Sequence, residues 1–189
     1  MTKEHSRQNA ETYKALFLLI AALFRSPNDD FKDDVESGRL QSVVDYLSDL
    51  AGLEPSQINP PNWQDLQVTY VQLFLTNPSG IPAPPYLAYA IDNEIYGKSY
   101  KELKEFYTQN DLIVKDDYLD LPDHLAAVAE ACLLLLSEEK LGAVTELSKK
   151  YFLPWFEKYS SEINEIDKVF YGPLSVLCQE LLRRLTNEA

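Results

Sequence analysis

"LDLPDHLAAVAEACLLLL", residues 119–136, decides the fold class. Leu125, Val128, Ala129, Cys132, Leu135 and Leu136 recur at the i, i+3, i+4, i+7 spacing of one helix face. So few polar residues interrupt the segment that the helix must be buried over a wide face. Pro122 marks its start, because proline suits a first helical turn. Asp123 and His124 then fall in that turn, where a carboxylate is favoured by the helix dipole and can accept free N–H groups. The same dipole disfavours an imidazolium. Local chemistry therefore reads Asp123 as an N-terminal capping group beside a structural histidine. The competing readings are a catalytic base or half of a metal site.

The same period runs outward in both directions. In "ALFLLIAALF" (15–24), Leu16, Leu19, Ile20 and Leu23 form a stripe that stops before Pro27. That stretch has the length of a signal-peptide core, but "RSPNDD" follows where a small-residue cleavage site would stand. It is also too short to span a bilayer, so it is expected to be a core helix of a cytoplasmic protein. "LQSVVDYLSDLAG" (40–52) places Val43, Val44, Leu47 and Leu50 inward and stops at Gly52. Asn62 caps a helix through "WQDLQVTYVQLF", with Leu66, Tyr70, Leu73 and Phe74 along one side. "LTNPSGIPAPP" (75–85) is a loop, after which Pro84 or Pro85 opens a helix over "PYLAYAIDNEIYG".

Ser99 and Glu102 form a capping box for "SYKELKEFYTQN". "DLIVKDDYLDL" (111–121) lacks a helical period and reads as a linker, with a short strand possible at "LIV". Beyond residue 136, "KLGAVTELSKKYFLPWFEKYSSEI" is helical but kinked or restarted at Pro154. "VFYGPLSVLCQELLRRLTNEA" closes the chain, with Leu174, Leu177, Leu181 and Leu182 inward and Arg183 and Arg184 suited to a last turn. The fold class is all-α: a single bundle-like domain of about eight to ten helices. Its expected layout is an N-terminal lobe over about 8–107, a hinge over about 108–124 and a C-terminal lobe over about 122–186.

A net charge of −13 excludes nucleic acid and anionic membrane surfaces as partners and suits a cationic peptide, though acidity also serves solubility. Cys132 and Cys178 sit in apolar helical patterns with no CxxC, as free thiols of a reducing compartment do. No GxGxxG, P-loop or GxSxG motif occurs. His5 and His124 are the only histidines, and no HxxxH or ExxH spacing accompanies His124, so no metal site is expected. No catalytic residue or cofactor is expected either. A second constellation joins Tyr70, Leu73 and Phe74 to Pro84, Pro85, Tyr86 and Tyr89. Rigid prolines and aromatics with few charges suit a groove for a peptide, and the same residues equally suit a core.

Several of these pieces occur in one order: "LF" at 73–74, "PPY" at 84–86, "YG" at 96–97, "PDH" at 122–124, "YFLPWFEKY" at 151–159 and "FYGPLSVL" at 170–177. In that order the chain resembles the TorD/DmsD family of molybdoenzyme maturation chaperones, over about residues 13–185. The resemblance implies an all-helical, non-catalytic, cytoplasmic protein. Such a protein binds the twin-arginine leader and the apo catalytic subunit of a molybdopterin oxidoreductase and assists folding and cofactor loading before export. It implies leader binding at Tyr70, Leu73, Phe74, Pro84, Pro85, Tyr86, Asp123 and His124, with Asp123 placed to meet an arginine. It leaves open a monomer or a dimer exchanging domains through the linker. Two further readings stand beside it. One is a NarJ-type assembly chaperone of a membrane-anchored, cytoplasm-facing reductase. The other is a small helical nucleotide-acting enzyme using His124.

Overall fold

The structure is a computed structural model, and it describes residues 3–54, 58–115 and 120–188. Among the described residues every regular element is a helix, as the 3.6-residue period requires, and there is no strand. The helices are α1 (Lys3–Leu23), α2 (Asp29–Glu36), α3 (Arg39–Ala51), α4 (Trp63–Tyr70), α5 (Leu87–Asp92), α6 (Lys98–Gln109), α7 (Leu125–Ser137), α8 (Leu141–Leu147), α9 (Leu153–Ile166) and α10 (Tyr171–Glu188).

Two π turns weld some of these into longer rods. Val71–Leu75 continues α4, and Ser148–Phe152 joins α8 to α9. The expected break at Pro154 is therefore a π turn placed just ahead of it. Proline cannot donate to the preceding turn, and its ring crowds the carbonyl four residues back. The wider turn relieves that conflict without ending the rod, leaving Pro154 in the first turn of α9.

Where a cap is local, sequence and structure agree. Asn62 Oδ1 accepts from Asp65 N–H at 3.0 Å, and Gly52 closes α3 at φ 66°. Where a cap is tertiary, they differ. Ser99 and Glu102 do not form a capping box. Ser99 N–H and Oγ–H instead donate to Asp92 at 2.6 and 2.8 Å, and Glu102 pairs with Lys98 and Lys150. Pro84 and Pro85 precede α5 rather than opening it, and Pro122 precedes α7 by a turn. Val43 is exposed, not inward, because α3 turns Val44, Leu47 and Ser48 to the core. "LIV" (112–114) forms no strand, and Ile113 stands out in solvent. Arg183 and Arg184 lie a turn before the end of α10 and pair with Glu157 and Glu180.

One contiguous apolar core runs from Tyr13 to Leu185. Helix α1 lies at its centre against α7 and also meets α3 and α10, and α9 packs along α10. An aromatic cluster fills the middle: Phe24 meets Phe74, Trp155, Phe156 and Tyr171 edge-on, with centroids 5.3–6.2 Å apart. Tyr70 and Tyr171 reach the C-terminal end of α1, their hydroxyls donating to the carbonyls of Phe24 and Leu23 at 3.2 Å. Among the described residues no helix is long and apolar enough to cross a membrane, and no group of three or more His, Cys, Asp or Glu could hold a metal ion.

Candidate functional site: a cleft where two helix starts interlock

Both "PPY" and "PDH" lead into a helix, and the two lead-ins pair with each other. Proline biases its neighbours toward extended backbone, which frees their N–H and C=O groups for pairing. Leu87 N–H donates to Asp123 C=O and Leu125 N–H donates to Pro85 C=O, each at 2.8 Å. Tyr86 and His124 thereby face each other in an isolated antiparallel bridge.

The side chains complete the interlock. Asp123 Oδ2 accepts from Ala88 N–H at 3.2 Å, so Asp123 caps α5, not its own helix. His124 caps α7 instead, its Nδ1 accepting from Ala126 N–H at 3.2 Å. The Tyr86 and His124 rings meet edge-to-face at 5.6 Å. Trp155 Nε1–H holds Pro84 C=O at 2.8 Å, and Tyr107 O–H holds Pro122 C=O at 2.9 Å. The lead-ins are thus fixed from both sides by α9 and α6.

A cleft of about 620 Å³ opens over this interlock, and its walls include Tyr70, Leu75, Pro85, Tyr86, Asp120 and His124. Arg25 also reaches it and is ion-paired with Glu130 of α7. Four of the eight residues expected at the site, Tyr70, Pro85, Tyr86 and His124, therefore line one cleft. Leu73, Phe74, Pro84 and Asp123 are not part of that lining: Leu73 and Phe74 are wholly in the core, Asp123 is buried and Pro84 is partly exposed elsewhere. Asp123 is 3% exposed, which closes its carboxylate to an incoming arginine.

The acid that faces the cleft is Asp120, whose side chain is 41% exposed. Its Oδ1 accepts from Tyr86 O–H at 3.1 Å and from Leu121 N–H at 2.7 Å, and its Oδ2 lies 3.7 Å from His124 Nε2. Sequence reading passed over Asp120. Its only signal was position, three residues ahead of Asp123.

Electrostatics follow the burial. Burial pushes Asp123 up to about 6, against the pull of the Ala88 N–H, which favours the ionised form. Burial drives His124 below its ordinary value, with Asp120 opposing. With Nδ1 occupied by Ala126 N–H, the neutral ring carries its proton on Nε2 and keeps no free lone pair for a general base. Burial, then Asp120, pushes the Tyr86 hydroxyl up to about 12, so it serves as a neutral donor. The arrangement is suited to holding a ligand: an aromatic and proline wall with one accessible carboxylate and a donor beside it.

Fold and site define an all-α domain with a recessed, largely apolar cleft whose edge carries Asp120 together with Arg25 and Lys115. The chain belongs to the nitrate reductase delta subunit family, which it matches over residues 28–161. Among solved structures it is similar to a putative redox enzyme maturation protein from Archaeoglobus fulgidus. That likeness has a TM-score of 0.61 and 20% identity and covers 90% of this chain and 93% of the other. No curated protein matches the chain.

Proposed function

We propose that this protein is a cytoplasmic maturation chaperone that binds the twin-arginine leader and apo catalytic subunit of a molybdopterin oxidoreductase before export. The observation that carries the reading is the cleft. A basic, moderately apolar leader presents two chemistries, and the cleft offers a complement to each. Asp120 takes a guanidinium, with Tyr86 O–H and His124 orienting the carboxylate. Tyr86 and the exposed Leu75 take the apolar neighbour, with Pro85 and the buried Tyr70 forming the floor beneath them. The net charge of −13 steers a cationic segment toward the protein. The "PPY…PDH" order supports this reading, and the family and the likeness to a putative redox enzyme maturation protein support a maturation chaperone without choosing its client.

The family's description favours a second reading, assembly of a nitrate reductase catalytic subunit that stays on the cytoplasmic face of the membrane. Affinity purification of the tagged protein from anaerobically grown native cells, with mass spectrometry of the co-purified proteins, separates the two. Recovery of a molybdoenzyme catalytic subunit still carrying its twin-arginine leader is the expected result. Recovery of a leaderless, membrane-anchored reductase would replace the first reading with the second.

A further inference from the structure

Between Asp65 and Asp92 the chain contains no charged residue, although a quarter of the whole sequence is charged. Part of that run is core, but part is surface. Val68, Val71 and Leu75 are 51%, 38% and 49% exposed, and their spacing places them on one face of the α4 rod. Ile81, on the loop that returns beside this rod through Ala83 N–H to Leu73 C=O, is 44% exposed. The rod's outer face otherwise carries Gln64, Gln67 and Gln72, with the exposed Asp65 at its N-terminal end three residues before Val68, so no charge lies between Val68 and Leu75. Leu75 belongs both to this strip and to the wall of the cleft, making the two surfaces continuous.

We infer that the strip Val68–Val71–Leu75 is the docking surface for the apolar segment of the leader whose basic part sits at Asp120. This rests on the leader-binding reading and adds to it a second subsite and a direction of binding. Charge assigns the ends. A cationic head goes to the carboxylate in the cleft, and the uncharged segment that follows leaves past Leu75, away from Arg25 and Lys115, onto an apolar surface. Val68 to Leu75 spans roughly 10 Å along the rod, the reach of about three extended residues or two helical turns. A few half-exposed aliphatic side chains cover far less than the roughly 800 Å² per partner that a stable dimer buries, so a second copy is the poorer occupant.

The test uses the full chain and two fluorescent peptides. Both begin with an arginine pair. One continues with a short alternating alanine–leucine segment and the other with glycine–serine. The protein variant is V68Q with V71Q, which removes apolar surface without adding charge or touching the cleft, and unchanged thermal unfolding confirms its fold. The expected result is a roughly tenfold or greater loss of affinity for the alanine–leucine peptide and no change for the glycine–serine peptide. Equal binding of the alanine–leucine peptide by both proteins would overturn the strip and leave the leader reading standing. If wild-type protein binds neither peptide, the leader reading fails and the strip's assignment falls with it. If light scattering shows a concentration-dependent dimer that the variant abolishes, the strip is an interface between copies and the inference is wrong.

Discussion

Asp123 caps the helix that begins 36 residues before it, its carboxylate accepting the Ala88 N–H at 3.2 Å. One short side chain thereby ties the start of α5 to the start of α7. The site depends on this tie, because it sets the extended backbone on which Tyr86 and His124 stand.

Asp123→Ala is expected to cost about 1–2 kcal/mol, the scale of a lost N-cap with a donor left unpaired. Asp123→Asn keeps an acceptor for Ala88 and is expected to cost under half as much. Urea unfolding of both variants checks this, and equal losses would mean that the cap contributes nothing.

The pH dependence of stability carries opposing contributions from neighbouring residues. Asp123 titrates near 6 in the folded protein against an ordinary 3.8, so the folded state holds that proton more tightly. Its contribution rises as pH falls through that window and is lost as pH rises past about 6. His124 is held below its ordinary 6.5, so the unfolded chain takes that proton first and stability falls as pH drops below about 6.5. In wild type the two partly cancel. Relative to wild type, Asp123→Asn should lose stability on acidification between about 6 and 3.8. His124→Asn should gain it as pH falls below about 6.5. Neither difference can exceed ~1.4 kcal/mol per pH unit. Thermal unfolding across pH 4–8 reads the slopes directly.

Asp120→Asn should leave stability within about 0.5 kcal/mol of wild type, because the side chain is partly exposed and asparagine still accepts from Tyr86 and Leu121. Affinity for an arginine-headed leader peptide should fall roughly tenfold, and its salt dependence should shrink with it. Asp123→Asn, with its carboxylate buried, should not change the salt dependence. Titrations at low and high salt distinguish these outcomes.

Trp155→Phe removes the donor that holds Pro84 C=O and leaves space in the aromatic cluster around Phe24, Phe156 and Tyr159. A loss of about 2 kcal/mol or more is expected, combining an unpaired carbonyl with a partly filled cavity. Hydrogen exchange should show the Leu87 and Leu125 amides losing protection before those of α10.

The sequence carried those elements whose causes are local. Helical period placed α1, α3, α4, α7 and α10, and Asn62 and Gly52 marked ends that need only neighbouring backbone. The short α2 was missed, although Asn28 with Asp29 and Asp30 is a start signal: Asn28 Oδ1 accepts from Phe31 N–H at 3.0 Å. Ser99 misled because its partner, Asp92, sits across a turn rather than within the helix. Pro84, Pro85 and Pro122 misled because proline serves equally before a helix and inside its first turn. Here tertiary pairing chose the former. At the site, motif order named the two lead-ins but could not show that they face each other. Nor could it separate Asp123, turned inward, from Asp120, turned out. That difference lies in the pairing of the lead-in of α5 with the lead-in of α7, which no spacing within either segment encodes. Leu73 and Phe74 have the same pattern whether they line a groove or fill a core, and they fill the core.

The π turn at Ser148–Phe152 also has a bearing on how the chain tolerates insertion and deletion. A π turn holds one residue more than an α-helix of the same rise needs. Removing a single residue there would let the rod close into uniform α geometry with everything after it still in phase. Trp155 would then keep Pro84, and Lys158 the Ala90 carbonyl it holds at 2.8 Å. A second deletion, with no spare residue left to absorb it, would rotate α9 by about 100° and unfasten the cleft's back wall. The segment thus carries one residue of slack in length, and only one.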